Sequence, residues 1–302
     1  MKRRLPSMAL IVLAGCFLSG AHVQAKPLKS PSMGMAAASG SNTGLQLAVP
    51  KDVHVSMLLA PPGEGQNRVL KTRPFDIDPD GLPVMAAGAS LQVVGSSRPL
   101  ATIGSQPISD FAWMRDGSLL LITQDHLAGL GRHGLLLGPL TPGPDMEVRP
   151  AGKDDAYVFG GTRQPANQNI YLFGRDGRIA KFLFAPAPVT AVAGNGSTTY
   201  VGVGRMLLRL REGHPVKVLM HMHSSLISLD MTSSGGLFYA TKASVGYLSK
   251  TGKAYDFLRG QGGPVRVHGD ALFLLLQTSG RVIRFSPIRA FEDYMSGGVT
   301  EP

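Results

Sequence analysis

The sequence has few of the residues that fix a particular chemistry. Among 302 residues there are one cysteine, one tryptophan and 20 acidic side chains, against 30 basic ones. The only cysteine, Cys16, lies close to the N-terminus, so a disulfide within the chain is excluded. The sequence also lacks a nucleophile elbow, a His-Glu-x-x-His motif, a Gly-Lys-Ser/Thr phosphate loop and paired cysteines. It therefore offers no motif of a common hydrolase, metalloprotease, phosphate-loop or zinc class. The string Gly129–Gly134 fits a dinucleotide-binding pattern, but it lies between two predicted strands with no helix behind it, which favours a hairpin turn.

What the sequence does contain is a repeated unit of about 40 residues, present in six copies. Each copy has a first apolar strand, a very apolar second strand, a third strand followed by a turn, and a weaker outer strand. The second strands are continuously apolar, which is typical of strands buried on both faces. They are predicted at Leu82–Ala86, Leu119–Thr123, Ala156–Gly160, Thr199–Val203, Leu237–Thr241 and Ala271–Leu275.

A repeat of four short strands is the signature of a propeller blade. The sixth copy ends near Ser286-Pro287 and lacks its outer strand, whereas an unassigned strand, Val53–Leu59, precedes the first copy. Pairing of this strand with the last blade would close the ring and remove its open edge. The sequence therefore predicts an all-β fold, a six-bladed β-propeller over residues 51–288 closed by an N-terminal strand.

Residues 1–25 are predicted to be a signal segment, with a basic start at Lys2–Arg4 and an apolar run behind it. Two processing sites compete. Val23–Ala25 has the small-residue pattern of ordinary signal cleavage, and Leu13–Cys16 resembles the bacterial lipobox, in which Cys16 would be lipidated. Both predict export to the periplasm, and the second adds a lipoprotein anchor in a membrane.

Two further segments flank the propeller. Residues 26–50 are rich in Ser, Gly, Ala and Pro and are predicted to be a flexible linker, because such a composition buries too little apolar surface to order itself. Residues 289–302 form a C-terminal tail. Its aromatic residues are compatible with a helical turn that binds a partner, or with packing on the underside of the ring.

The formal net charge of +10 indicates anionic partners. Because Lys2–Arg4 account for three of these charges, the chain after Ala25 carries about +7. For an exported protein this favours anionic lipid, cell-wall polymer or an acidic protein surface. Nucleic acid is not expected, since the basic residues are scattered and no basic stripe is interleaved with aromatic residues.

Matching positions in successive copies predict a basic binding face at one end of the ring. Turns between second and third strands lie at the same end as the connections between blades, and three of these turns carry Arg163, Arg205 and Lys242. His126 and Gln277 occupy the same end. A ring of cations at the channel mouth would attract an anionic ligand or partner.

Two other groups of residues suggest alternative chemistries. His126 and Asp125 are the acid/base candidates if this mouth is catalytic. His221 and His223 alternate with methionines in a string that resembles a copper ligand set. No second cluster of ligands accompanies this string, so no metal and no cofactor is predicted.

The segment from 51 to 288 resembles exported six-bladed propellers of the NHL-repeat and regucalcin/gluconolactonase type. The resemblance lies in the repeat layout, with turns such as Arg115–Gly117 and Arg175–Gly177 between strands. It implies either a metal-dependent lactonase, with Glu, Asn and Asp ligands at the channel, or a module that binds macromolecules. Inner and mouth positions are expected to be mostly Ala, Val, Gly or basic, which disfavours the lactonase.

The sequence thus predicts an exported, non-enzymatic β-propeller that acts as a protein-interaction or scaffold module in an envelope or secretion complex. It would bind an envelope protein or an anionic ligand through the basic loop face, as a monomer within that complex. The alternative is a hydrolase or lyase acting on a small anionic substrate at the propeller mouth.

Overall fold

The computed structural model describes residues 46–58, 74–96, 98–123, 126–131, 134–137, 146–152, 155–162, 164, 166–174, 177–211, 213–276 and 279–296. Within these ranges the chain forms 25 strands, one 3₁₀ turn at Ala166–Gln168 and one α-helix. The strands make six separate antiparallel sheets, each the blade of a propeller. The all-β, six-bladed architecture predicted from the repeat is therefore confirmed.

Blades 1 to 3 each have four strands, numbered from the inner to the outer edge. Blade 1 consists of β3 (Phe75–Ile77), β4 (Pro83–Ala87), β5 (Ser90–Val93) and β6 (Pro99–Thr102). Blade 2 consists of β7 (Ile108–Trp113), β8 (Leu119–Thr123), β9 (Leu127–Gly131) and β10 (Gly134–Leu137). Blade 3 consists of β11 (Met146–Pro150), β12 (Ala156–Gly160), β13 (Asn169–Phe173) and β14 (Ile179–Phe184).

Blades 4 to 6 repeat this plan, with additions in the last two. Blade 4 consists of β15 (Val189–Gly194), β16 (Thr198–Val203), β17 (Met206–Arg211) and β18 (Lys217–His221). Blade 5 consists of β19 (Leu226–Met231), β20 (Leu237–Thr241), β21 (Ser244–Leu248), β22 (Ala254–Arg259) and the added strand β1 (Gln46–Leu47). Blade 6 consists of β23 (Val265–His268), β24 (Ala271–Leu275), β25 (Val282–Ser286) and β2 (His54–Leu58).

The second strands lie in the middle of the core, as their apolar sequences predict. Every residue of β16, β20 and β24 is buried, because the two faces of each strand pack against the neighbouring blades. The core is accordingly a series of apolar clusters around the ring, and the largest joins blades 5 and 6 through side chains such as Phe238 and Phe285.

The ring is closed by the N-terminal strand. β2 pairs antiparallel with β25, from His54 opposite Ser286 to Leu58 opposite Val282. This strand supplies the missing fourth strand of blade 6, as predicted. The pairing of β1 with β22, through Gln46 opposite Arg259, was not predicted. It adds a fifth strand that covers the outer edge of blade 5.

β-Bulges recur at one place in the inner strands and shift the side chains that face the channel. The register with the second strand shifts just before Asp110 in blade 2, before Ala191 in blade 4 and before Ser228 in blade 5. A bulge adds one residue to one strand and re-aims the side chains beyond it. These three inner strands therefore do not follow a plain alternation of facing positions.

The C-terminal tail begins with helix α1 (Arg289–Ser296), which packs on blades 5 and 6. Phe291 is fully buried, with its ring 4.8 Å from that of Phe257 and 5.3 Å from that of Phe238. The Asp270 carboxylate accepts the backbone N–H of Ile288 at 2.8 Å and so holds the start of the helix. Across the described ranges, no helix has the length and apolar character needed to span a bilayer.

Candidate functional site

Charged side chains are concentrated on the inner strands, where the six blades converge on the axis of the ring. Asp76 lies on β3, Asp110 on β7, Glu147 and Arg149 on β11, Asp230 on β19 and Arg266 on β23. Asp76, Asp110 and Arg266 are at most 8% exposed. Buried charges are costly unless they are paired, so each of these groups needs a partner.

The carboxylates supply these contacts by accepting hydrogen bonds from the next blade. Asp76 of blade 1 accepts a hydrogen bond from the backbone N–H of Trp113 at 2.8 Å. Asp110 of blade 2 accepts one from Val148 at 2.8 Å, and Asp230 of blade 5 accepts one from Val267 at 2.7 Å. Because donor and acceptor belong to successive blades, each bond ties two inner strands together. The charged centre is thus part of what holds the ring in register.

Arg149 is the centre of one ion cluster. Its guanidinium lies 2.7 Å from the Asp110 carboxylate and 2.8 Å from that of Glu147. The two carboxylates, Asp110 most, raise the pKa of Arg149 despite its burial, so it stays charged. Burial, together with the nearby Asp110 charge, raises the pKa of Glu147, although Arg149 acts against this. The Glu147 side chain keeps 35% of its surface accessible, and contact with water limits the size of that shift.

Arg266 is the centre of a second cluster, at the junction of blades 5, 6 and 1. Its Nη1 donates to the Ser228 hydroxyl at 3.2 Å, and its Nε lies 3.4 Å from the Asp76 carboxylate. Burial and the neighbouring Arg149 charge lower the pKa of Arg266. Burial also raises the pKa of Asp230 and raises that of Asp76 to about 6, although Arg266 acts in the opposite direction on both.

One mouth of the channel opens into a cavity of about 360 Å³. Its wall includes residues from all six inner strands, among them Asp76, Trp113, Arg149, Asp230 and Arg266. The first-to-second-strand turns, such as the one containing Asp78, complete the rim. The cavity therefore opens at the end of the ring opposite to the turns that carry Arg205 and Lys242, since those turns join second to third strands.

The expectation that inner positions would be mostly Ala, Val, Gly or basic is wrong. Blades 1, 2, 3 and 5 each place a carboxylate there. The apolar pattern does not mark these residues, because each is the single acidic residue of a short strand, and in β7 and β19 a bulge also shifts the register. The sequence nevertheless contains a signal, because charged residues recur at one position of the blade. Asp76, Arg149 and Asp230 each lie eight residues before the second-strand residue with which they pair.

The structure describes only part of the predicted basic face. Arg205 and Lys242 lie in the turns β16–β17 and β20–β21, at matching blade positions, and both side chains are exposed. His126 is also exposed, next to the start of β9. Arg163, Gln277 and Asp125 lie outside the described residues, as does the lipidation candidate Cys16.

The string of His and Met residues divides into an exposed and a packed half. His221 and His223 are exposed, whereas Met220 and Met222 are partly buried and pack against the apolar cluster shared by blades 4 and 5. The methionines thus have a packing role. In the described parts of the chain, no three His, Cys, Asp or Glu residues are grouped as metal ligands would be. The channel carboxylates instead contact guanidinium groups and backbone N–H groups.

Comparison with solved structures finds a similar fold in several proteins of low sequence identity. A gluconolactonase from Xanthomonas campestris matches with a TM-score of 0.59 and 10% identity, covering 80% of this chain and 94% of that one. A Trichoderma reesei carbohydrate-active protein of family AA12 matches with a TM-score of 0.58 and 8% identity, covering 82% and 99%. A luciferin-regenerating enzyme matches with a TM-score of 0.56 and 10% identity, covering 77% and 95%.

At such identities the likeness concerns the fold alone. No protein-family model matches the sequence, and no curated protein does. The chain is a six-bladed β-propeller, and its architectural likeness to gluconolactonase-like propellers, expected from the repeat layout, is confirmed.

Proposed function

We propose that this propeller is an exported, non-enzymatic interaction or scaffold module of an envelope or secretion complex, which binds a protein or anionic partner through its basic loop face. The observation that carries the proposal is that the charged side chains of the channel join one blade to the next. A catalytic group, by contrast, must be free to contact a substrate.

The ion clusters also make the channel unsuitable for a divalent cation. Arg149 and Arg266 bring two positive charges to the position where a propeller metal would be held on the axis. The Asp110 and Asp230 carboxylates already accept two hydrogen bonds each. Both donors to Asp110 belong to the next blade, and so does one of the two donors to Asp230. Withdrawing these carboxylates to bind a metal would leave buried N–H donors unsatisfied, which costs free energy.

The basic face has the properties of a binding surface instead. The backbone carbonyl of Arg205 accepts the N–H of Met222 at 2.7 Å, and that of Lys242 accepts the N–H of Gly262 at 2.9 Å. Both turns are thereby fixed to the segments that lead into the next blade. Binding therefore need not order the backbone of these turns, and their exposed cations attract an acidic partner over a distance of about 8–10 Å.

The test is a capture experiment with envelope extract and purified protein. Arg205→Glu combined with Lys242→Glu reverses two charges on the face, and Lys250→Glu combined with Lys253→Glu reverses two on the outer turn of blade 5. We expect the wild type and the blade 5 variant to capture the same specific partner. The face variant should capture roughly tenfold less of it. Equal retention by all three proteins would refute the assignment of the face.

A second candidate function is supported by the cavity at the opposite mouth, where Arg149 and Arg266 face a volume able to hold a small anionic substrate. A hydrolase or lyase would use a histidine as acid or base, either His268 at this cavity or His126 on the other face. A screen of esters, lactones and sugar acids tests this. Turnover that is abolished by His268→Ala or His126→Ala would replace the scaffold proposal.

A further inference from the structure

The outer hairpin of blade 4 carries three cations on one face. Arg209 of β17 lies directly opposite Lys217 of β18 in the sheet register. Arg211 is two residues beyond Arg209 on the same strand, and side chains two apart in a strand share a face. Arg211 donates from Nε to the Thr198 hydroxyl at 3.3 Å, which fixes its position.

These cations have no counter-ion among the residues that the structure describes. Like charges directly opposite each other across a sheet are destabilising, and neighbouring carboxylates normally offset them. Here none of the three cations forms an ion pair with a described residue. The hairpin sequence contains one acid, Glu212, which lies outside the described residues.

The cations surround an open concavity of about 420 Å³ on the surface of the blade. Arg209, Arg211 and Lys217 line it together with His214 and the apolar residues Pro215, Val216 and Val218. No described carboxylate lines it. The site therefore combines several positive charges with a concave surface. An isolated exposed lysine lacks both features.

We propose that this concavity binds a phosphate group. A phosphate carries up to two negative charges and several acceptor oxygens, which match two forked guanidinium groups and an ammonium group better than a carboxylate does. Bound phosphate would also remove the repulsion between Arg209 and Lys217. No described carboxylate offsets this repulsion.

The site is distinct from the basic loop face of the proposed function. Arg205 lies at the opposite end of β17 from the hairpin turn, and six strand residues separate the two ends by about 20 Å. The phosphate group can belong to a free ion or to a lipid headgroup. Val218, 47% exposed on the same outer strand, adds an apolar contact at the edge of the blade in the second case.

The first arm of the test uses inorganic phosphate and thermal unfolding of the purified protein. At about ten times the dissociation constant, phosphate should raise the wild-type Tm by about 3 °C beyond any rise with acetate at equal ionic strength. The combined Arg209→Gln, Arg211→Gln and Lys217→Gln variant should lose this rise. Without phosphate it should unfold at or above the wild-type Tm, because like-charge repulsion is removed.

The second arm uses sedimentation with phosphatidylglycerol vesicles, compared with phosphatidylcholine alone. Each cation removed should weaken binding by about fivefold if the phosphate belongs to a lipid surface. Lys250→Gln with Lys253→Gln is the charge control for the two-cation variant Arg209→Gln with Lys217→Gln. Arg205→Gln with Lys242→Gln separates this site from the loop face. Loss in the hairpin variant alone, in either arm, supports the proposal. Binding in neither arm, or equal loss in a control variant, overturns it.

Discussion

The Asp110 carboxylate of blade 2 lies 2.7 Å from the Arg149 guanidinium of blade 3. The same carboxylate oxygen accepts the backbone N–H of Val148, so side chain and main chain of blade 3 are held by one acid. In a fold whose blades contact one another mostly through apolar side chains, this contact gives a directional link between two neighbours.

Asp110→Asn should therefore destabilise the domain by about 3 kcal/mol, because it leaves a buried guanidinium with half of its counter-charge. Glu147→Gln removes the other carboxylate bound by Arg149, but its side chain is 35% exposed and its loss should cost under about 1 kcal/mol. Urea unfolding of the two variants provides the comparison. Equal effects would show that burial does not govern the strength of this cluster.

The pH dependence of stability should reveal Asp76. Its pKa is about 6 in the folded protein, against 3.8 for an aspartate side chain in water, so the folded state binds the proton more tightly than the unfolded chain does. Ionisation of Asp76 hence opposes folding above pH 6, and this opposition is relieved as the pH falls from about 6 to 4.

Asp76→Asn cannot ionise, so its free energy of unfolding relative to wild type should rise between pH 4 and 6 and then level off. Chemical unfolding at intervals of one pH unit measures this difference. Asp80→Asn, an exposed change in the same turn, is the control for removal of a carboxylate. A difference that is constant with pH would mean that burial does not raise the pKa of Asp76.

Helix α1 should contribute substantially to stability, although it lies outside the repeats. Phe291 is fully buried among the aromatic rings of blade 5, and its replacement by Ala should cost about 4 kcal/mol. Asp293→Ala on the exposed side of the helix should change stability by less than about 0.5 kcal/mol. Thermal unfolding of both variants distinguishes a packed helix from a loosely attached tail.

The register of ring closure can be tested by cross-linking. Ser56 and Arg284 lie directly opposite each other on β2 and β25, and both are exposed. Opposed antiparallel residues have Cα atoms about 4.5–5.5 Å apart, within the range of a disulfide. With Cys16→Ser, the pair Ser56→Cys and Arg284→Cys should oxidise readily and raise the Tm, because it closes a very long loop.

The control shifts one cysteine by one residue at an exposed position. Met57→Cys with Arg284→Cys places the thiols on opposite faces of the sheet, so oxidation should leave them free. Non-reducing electrophoresis of the unfolded proteins shows which pair is linked. Cross-linking of the shifted pair alone would require a different register.

The blade plan could be predicted from the sequence because each second strand is buried on both faces and so has a continuous apolar run, such as Leu237–Thr241. Closure by the strand around Val55 followed from counting strands. The candidate site was less accessible. Asp110 and Ser228 follow bulges, and a bulge depends on how two strands pair rather than on the residues of either alone.

By itself, then, the sequence determined the number of blades, their strand order and the strand that closes the ring, since these depend on local apolar patterns and on turns. Only the tertiary structure decided what fills the centre. Contacts such as Asp76 with Trp113 join residues of different blades, and β1 covers an edge that no local pattern marks. The physical reason is that charge pairing and edge pairing depend on distances between separate blades, which the chain acquires only when the ring has closed.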